Sequence, residues 1–455
     1  MYSQEEIQRL LKTAVAHGGD FADIYLSQSH TGTISAEEKR IRQFYRGFDE
    51  GAGIRVMKGD FSAYFYTNDL SYPSLLQLAQ RAGESVGGQD LALPLHWQEN
   101  AAVALDHEVY DLEKIGQMLR HVNDHAWMIS DAITQVSVSY GDVRKDVLMA
   151  NTDGSFVRQE SARKRFFVRV VAGEHGELQS AIETLGDTEA VLRWDEATLI
   201  AKVEKAAQRA LAQLKAKDAP AGTMPVILSS EAGGTMVHEA CGHGLEGDSV
   251  SKGLSVYKDK KGQQVASEKV TVIDDATLPD YYGSHVYDDE GNPGQRNVLI
   301  ENGLLKDYMY DIRSARRVGT KSTGNGRRES YRYAPQVRMT NTFIAPGKDA
   351  PEEIIADMKN GFFVRKMGGG QVNTISGDFV FEVSEGWLIE NGELTVPVKN
   401  ASLIGNGPKT LSSVYAVGND LGFAIGTCGK GGQSAPVSDA QPTLGVSELV
   451  IGGKG

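Results

Sequence analysis

His238-Glu239-Ala240-Cys241-Gly242-His243 is the segment of this 455-residue sequence whose side chains could do chemistry together. Two imidazoles offer nitrogen donors to a transition metal, and the carboxylate beside the first can take and return a proton. Histidines at i and i+4 would share one face of a regular helix. Here the spacing is i and i+5, which separates them by about 140° at about 100° per residue. Both reach one ion only where the helix is distorted or ends. A single π-bulge would realign them, and Gly242 makes a break at that point inexpensive. The spacing therefore predicts a bulged or terminated helix at the metal.

A catalytic zinc site takes three protein donors and keeps a position open, whereas a structural one closes with four. The remaining histidines stand at 17, 30, 96, 107, 121, 125, 175 and 285, and all but His285 fall in the N-terminal half. The candidates for a third donor are therefore Cys428 or a carboxylate such as Glu246. Cys428 lies in Gly426-Thr427-Cys428-Gly429-Lys430-Gly431-Gly432-Gln433. Its glycines expose a thiol, and Lys430 or a metal would favour the thiolate. Cys241, inside the motif, reads as a small packing residue. With two histidines and one cysteine on zinc, Glu239 projects to another azimuth and can act as general base on the water that the metal acidifies.

The elements that must hold these residues follow from periodicity. Apolar residues at helical spacing predict helices over 1–16, from Tyr72 through Ala82, through Ile115, Met118, Leu119 and Val122, and over 195–216. Strand-like segments fall at Ala22–Ser27, Gly53–Met57, Thr134–Tyr140, Val147–Ala150 and Arg165–Ala172, with Asn151-Thr152-Asp153-Gly154 as a turn. The stretch 86–108 lacks periodicity and reads as a linker. A short apolar strand, Pro225-Val226-Ile227-Leu228, enters the motif through Gly233-Gly234. Beyond residue 250 the pattern is mostly β, and Leu299–Gly303 and Leu388–Gly392 repeat one Asn-Gly hairpin signal. The expectation is an α+β chain: α/β units over 1–90 and 108–220, then a mostly antiparallel β domain over 221–455 that carries the motif helix.

A formal charge of -13 speaks against nucleic-acid and anionic-membrane surfaces, although Arg327, Arg328, Arg332 and Arg338 could still build a local basic groove. Two cysteines, a polar acidic N-terminus and the lack of a bilayer-length apolar run point to a soluble cytoplasmic protein.

The segment 238–248 resembles the His-Glu-x-x-x-His signature of the TldD half of the TldD/PmbA metalloproteases. So, in order, do Arg338–Thr342 with Pro346-Gly347, Gly368–Val372, Ser376–Phe379, Ile404–Gly407, and Cys428-Gly429-Lys430 with Gln433 and Gln441–Thr443. The resemblance spans nearly the whole C-terminal half. It implies zinc held by His238, His243 and Cys428, with Glu239 as catalytic base. It also implies unfolded or extended peptide substrates and a dimer, either with itself or with a sister PmbA-type (TldE) subunit that lacks the metal motif. Arg338, Thr340 and Asn341 are the candidates for lining a substrate groove. The competing expectation is a non-catalytic, zinc-containing regulator that binds a protein partner, with Glu246 as the fourth ligand that would close the site.

Overall fold

A computed structural model describes residues 2–87, 98–99, 104 and 111–454, so most of the expected linker at 86–108 lies outside the described residues. Helix α1 (Gln4–Val15) starts where the Ser3 side chain accepts from the Glu6 amide and Glu6 reaches back to the Ser3 amide. This reciprocal cap satisfies two orphan donors of the first turn. Strands β1 (Phe21–Glu37), β2 (Arg40–Lys58) and β3 (Phe61–Thr67) follow, then α2 (Tyr72–Glu84) and the short β4 (Gln98–Glu99). Next come α3 (Leu112–Met128), β5 (Ile133–Asn151), β6 (Ser155–Glu174), β7 (Glu177–Asp187) and α4 (Glu196–Leu214).

The strands make one sheet in the order β3-β2-β1-β5-β6, with β4 and β7 both paired to β6. Because β1 pairs with β5 from Asp23↔Asn151 to Glu37↔Ser137, the two N-terminal units share this sheet. Each keeps its own core. Ile7, Leu10 and Leu11 of α1 pack with Leu75 and Leu78 of α2, while Leu119 and Val122 of α3 pack with Leu199 and Val203 of α4.

Among the described residues the C-terminal part is built on two large sheets and one two-stranded ladder. In one, Gly222–Leu228, Leu444–Gly452, Ala401–Asn406, Asp378–Glu390 and Asn360–Val372 pair in sequence, and the last returns to the first. The ring closes around a core that includes Leu228, Phe362, Phe379, Phe381 and Leu403. In the other sheet, Gln433–Gln441 pairs with the edge strand Gly422–Lys430 on one side and with Asn341–Ile344 on the other. Both Asn-Gly hairpins form: Asn302 (φ 48°) with Gly303 (φ 79°), and Asn391 (φ 54°) with Gly392 (φ 81°). Two successive positive φ values are what a type I′ turn requires. The architecture is α+β and mostly antiparallel, as the sequence predicts.

Arg209 joins the halves. Its guanidinium contacts Glu183 of β7 and Glu231 just ahead of the motif, and its Nε lies 2.9 Å from Glu385 of the ring. Replacing Arg209 with Met leaves Glu183 and Glu385 buried without this cation. An unfolding free energy about 3–5 kcal/mol lower is expected by denaturant titration, the usual cost of orphaning a buried charge. A change below about 0.5 kcal/mol, the range of an ordinary surface site, would show that neighbouring cations suffice.

Candidate metal centre

Strand Gly222–Leu228 leads through a 3₁₀ turn to Gly233, whose φ of 70° turns the chain into the motif. Thr235–Val237 is α-helical, His238–Gly242 is π-helical, and His243–Leu245 is a 3₁₀ turn. The His243 amide donates to the His238 carbonyl, which is the i to i+5 bond that brings the imidazoles together. Their ring centroids lie 4.8 Å apart at 89°. Close packing fixes this interrupted helix in place. A Cβ at Gly234 would stand 2.2 Å from the Ala440 amide nitrogen, and one at Gly242 2.2 Å from Met339 Sδ.

The hairpin made by the strands of residues 422–430 and 433–441 supplies the other side of the centre. Cys428 is 4% exposed, and its Sγ lies 3.5 Å from His243 Nε2. Among the described residues, the donor atoms of His238, His243 and Cys428 all fall within 4.8 Å of one another. A tetrahedral zinc with ordinary Zn–N and Zn–S bonds needs its nitrogen and sulfur about 3.6 Å apart, so this donor set fits the ion.

Each imidazole is held by its other nitrogen. His238 Nδ1 donates to Asp439 Oδ1 at 2.7 Å, and His243 Nδ1 to Glu246 Oε2 at 3.1 Å. Carboxylates only accept here, so both rings keep a proton on Nδ1, and Nε2 is the nitrogen that gives up its proton to take the ion. Burial opposes charge on His238, but Asp439 outweighs it and holds the pKa well above the ordinary imidazole value. Burial likewise opposes charge on His243, and Glu246 raises it to about 9. For Cys428 burial favours the thiol, yet the two adjacent imidazoles bring it down to about 5. The thiolate is therefore favoured by the imidazoles. Lys430 serves elsewhere: its Nζ lies 3.0 Å from Glu246 Oε2 and 2.8 Å from Asp248 Oδ1. Burial would raise Glu246, but Lys430 and His243 hold it at about 2.

Glu246 thus orients His243 and is not one of the three grouped donors. Cys241 packs in the core, with its Sγ donating to the Val237 carbonyl and burial pushing its pKa to about 12. Glu239 is partly buried, which raises its pKa, and it has no hydrogen-bond or ion-pair partner among the described residues. Sequence reasoning missed Asp439, because a lone Asp beside Ser438 and Ala440 carries no spacing signal.

The groove expectation is corrected. Arg338, Thr340 and Asn341 are all fully buried. Arg338 donates to the Cys428 and Gln433 carbonyls, Thr340 to Asp274, and Asn341 to the Asp275 carbonyl. Arg338 braces the hairpin beneath Cys428, Thr340 and Asn341 tie their strand to its neighbour at Asp274–Asp275, and none of the three lines a surface. The arginine cluster is split: Arg327, Arg328 and Arg332 line one cavity together with Lys145 and Arg163, where Arg332 pairs with Asp49 at 2.7 Å, while Arg338 lies outside it.

His285 sits apart from the centre, with its Nε2 donating to the Gly324 carbonyl at 3.0 Å. Burial, then Arg327 and Arg163, lowers its pKa to about 3. The unfolded chain, with a pKa of about 6.5, binds the extra proton between those values, so this contribution to stability is present above pH ~6.5 and is lost as pH falls toward 3. Discounting for the part of the ring that water reaches, His285→Gln should flatten the acid limb by about 2 kcal/mol near pH 4.5. Parallel pH–stability curves for the two proteins would contradict this.

The fold and the site together define a strand-rich α+β protein with a His–His–Cys centre suited to zinc. Sequence profiles described as PmbA/TldA metallopeptidase domain 1, central domain and C-terminal domain match residues 22–86, 100–214 and 221–453. A relative named "Metalloprotease TldD homolog" in Haemophilus influenzae is 37% identical over 450 residues, covering 95% of this chain and 93% of that protein. One of the same name in Buchnera aphidicola is 35% identical over 448 residues, with the same coverage. The crystal structure of TldE from Thermococcus kodakarensis superposes with a TM-score of 0.79 at 20% identity, covering 98% and 99% of the two chains. This chain belongs to the PmbA/TldD metallopeptidase family.

Proposed function

We propose that this chain is a zinc-dependent peptidase that cleaves unfolded or extended peptides. The observation that carries the reading is three donors suited to zinc beside a carboxylate that has no other partner among the described residues. Relatives named as metalloproteases support it. His238 and His243 would hold the ion through Nε2, and Cys428 through its thiolate. Zinc, when bound, supplies Lewis-acid polarisation and makes water acidic near neutral pH.

Glu239 takes a proton from the attacking water and returns it to the departing amine. Burial, by raising the Glu239 pKa, makes that carboxylate a better proton acceptor. Asp439 and Glu246 keep the two imidazoles in one tautomer and orientation throughout.

Strand Gly422–Lys430 is the edge of its sheet, so an extended peptide could add beside Cys428 through main-chain hydrogen bonds. Such binding needs an unfolded segment and little particular sequence. The working unit is a dimer, with itself or with a PmbA/TldE-type sister, and its compartment is the cytoplasm. No helix among the described residues is long and apolar enough to cross a membrane.

The test is metal analysis of protein never exposed to chelator, together with cleavage of an unstructured peptide and of a folded protein of matched sequence. About one zinc per chain and cleavage of the unstructured substrate alone support the reading. Absence of zinc overturns it. Zinc without cleavage, in the presence of the sister chain, favours the regulator.

A further inference from the structure

A cavity of about 1100 Å³ lies between the N-terminal sheet and the C-terminal part, and the hairpin that carries Cys428 forms part of its wall. Side chains alternate along a strand, so this hairpin has two faces. Cys428 and its cross-strand partner Ala435 are buried on the face of the metal donors. Thr427, Ser434 and Pro436 stand on the other face, and all three line the cavity. A single layer of chain therefore separates the metal centre from the cavity.

Three cations share that space. Lys145 comes from β5, Arg163 from β6 and Arg327 from the C-terminal part. Every hydrogen bond their side chains make among the described residues ends on a backbone carbonyl. Lys145 uses Glu329, Arg163 uses Tyr282 and Ser284, and Arg327 uses Met339 and Pro436. Carbonyls satisfy donors, but they do not neutralise a buried charge. Asp289 is the carboxylate that acts on all three, and its Oδ2 already accepts from the Arg328 amide at 2.8 Å. Asp49 is taken by Arg332, and Glu329 by the Ser434 amide. Burial, reinforced by Arg163 and Arg327, outweighs Asp289 at Lys145 and lowers its pKa. Burial, then Arg163, brings Arg327 to about 10.

We propose that this cavity takes a carboxylate of the substrate peptide, from an acidic side chain or from the chain end, and holds it on Lys145, Arg163 and Arg327. The inference rests on the peptidase reading and adds a specificity to it. A peptide residue paired opposite Cys428 shares its face, and the residues on either side of it share the face of Thr427. A carboxylate placed there brings the negative charge that the three cations lack, through charge-assisted hydrogen bonds. Arg163 Nη1 has no bond among the described residues, and Lys145 keeps two further protons. Chains without such a carboxylate still bind through the main chain, only more weakly.

Binding is read on full-length Glu239→Gln protein loaded with zinc, so that it needs no cleavage. Labelled unstructured peptides of one neutral sequence carry a single Glu at successive positions, with the chain end free or amidated, and anisotropy gives each Kd. One Glu position, or the free chain end, should lower Kd about 10–100-fold against Gln or amide, the range of a charged hydrogen bond. An effect at one Glu position names the acidic side chain as the source, and an effect of amidation alone names the chain end. In Lys145→Met and in Arg163→Gln the ratio of neutral to acidic Kd should fall toward one, while Lys145→Arg should keep it. Lys145 makes one hydrogen bond, to a carbonyl, so wild-type circular dichroism is expected for its variants. Equal Kd values for acidic and neutral peptides in the parent protein overturn the proposal. So does a preference that Lys145→Met and Arg163→Gln both retain, or a failure of every peptide to bind. Turnover of the same peptides by wild type is measured alongside. If none is cleaved while the acidic preference holds, the peptidase reading falls and the carboxylate site stands without it.

Discussion

Glu239→Gln is expected to keep the zinc content of the wild type while lowering kcat for an unstructured peptide by about 10²–10⁴-fold, the usual contribution of a positioned acid/base group. Glu239 belongs neither to the three grouped donors nor to the pairs that orient them. Glutamine keeps its size and polarity, so the π-helical turn should survive. It cannot accept and return a proton, so both halves of the transfer fail. KM should change little, since peptide binding through main-chain hydrogen bonds does not involve this carboxylate. Two results would sink the role. Activity within a few-fold of wild type means another group moves the proton, and loss of zinc makes Glu239 a ligand.

Where the structure was legible in the sequence, a period or a turn carried the information. Among the described residues, the four long helices fall where apolar residues recur at helical spacing, because each buries one apolar stripe. The π-helical turn was legible from a count of five between two histidines. The long β1–β2 arms were not. Residues 28–33, Gln-Ser-His-Thr-Gly-Thr, contain no apolar alternation, because this part of β1 packs against strand neighbours and not against a helix core.

Charge was the other blind spot. A run of arginines suggests a surface, yet Arg338 is fully buried with carbonyl partners supplied by a hairpin some ninety residues away. The same holds for Lys430. Its closeness in sequence to Cys428 suggested a thiolate partner, and the fold aims it at Glu246 and Asp248. Sequence neighbours on alternate residues of a strand share a face but need not share a partner.

Cys428→Ser should reduce zinc affinity by more than the 10–100-fold typical of an outer-shell change, and abolish peptide cleavage at ordinary zinc concentrations. The serine hydroxyl is nearly isosteric, but it stays protonated where the thiol, at about 5, is already a thiolate. It therefore brings neither the anion nor the soft donor that zinc prefers. Cys241→Ser provides the contrast. That residue lies in the core with its Sγ on the Val237 carbonyl, so the change should cost stability and leave zinc affinity near wild type. Competition with a chelator of known affinity separates the two variants, and thermal unfolding with and without zinc then decides what the ion is for. The three donors are anchored by elements that pack without the ion: Gly234 against the Ala440 backbone, and the hairpin through Arg338. Apo protein should accordingly keep its fold and gain only the linkage stabilisation of a bound ligand, which grows with the logarithm of free zinc. Should chelation instead unfold the C-terminal domain, the ion would be structural, and the regulator reading would gain at the expense of the peptidase.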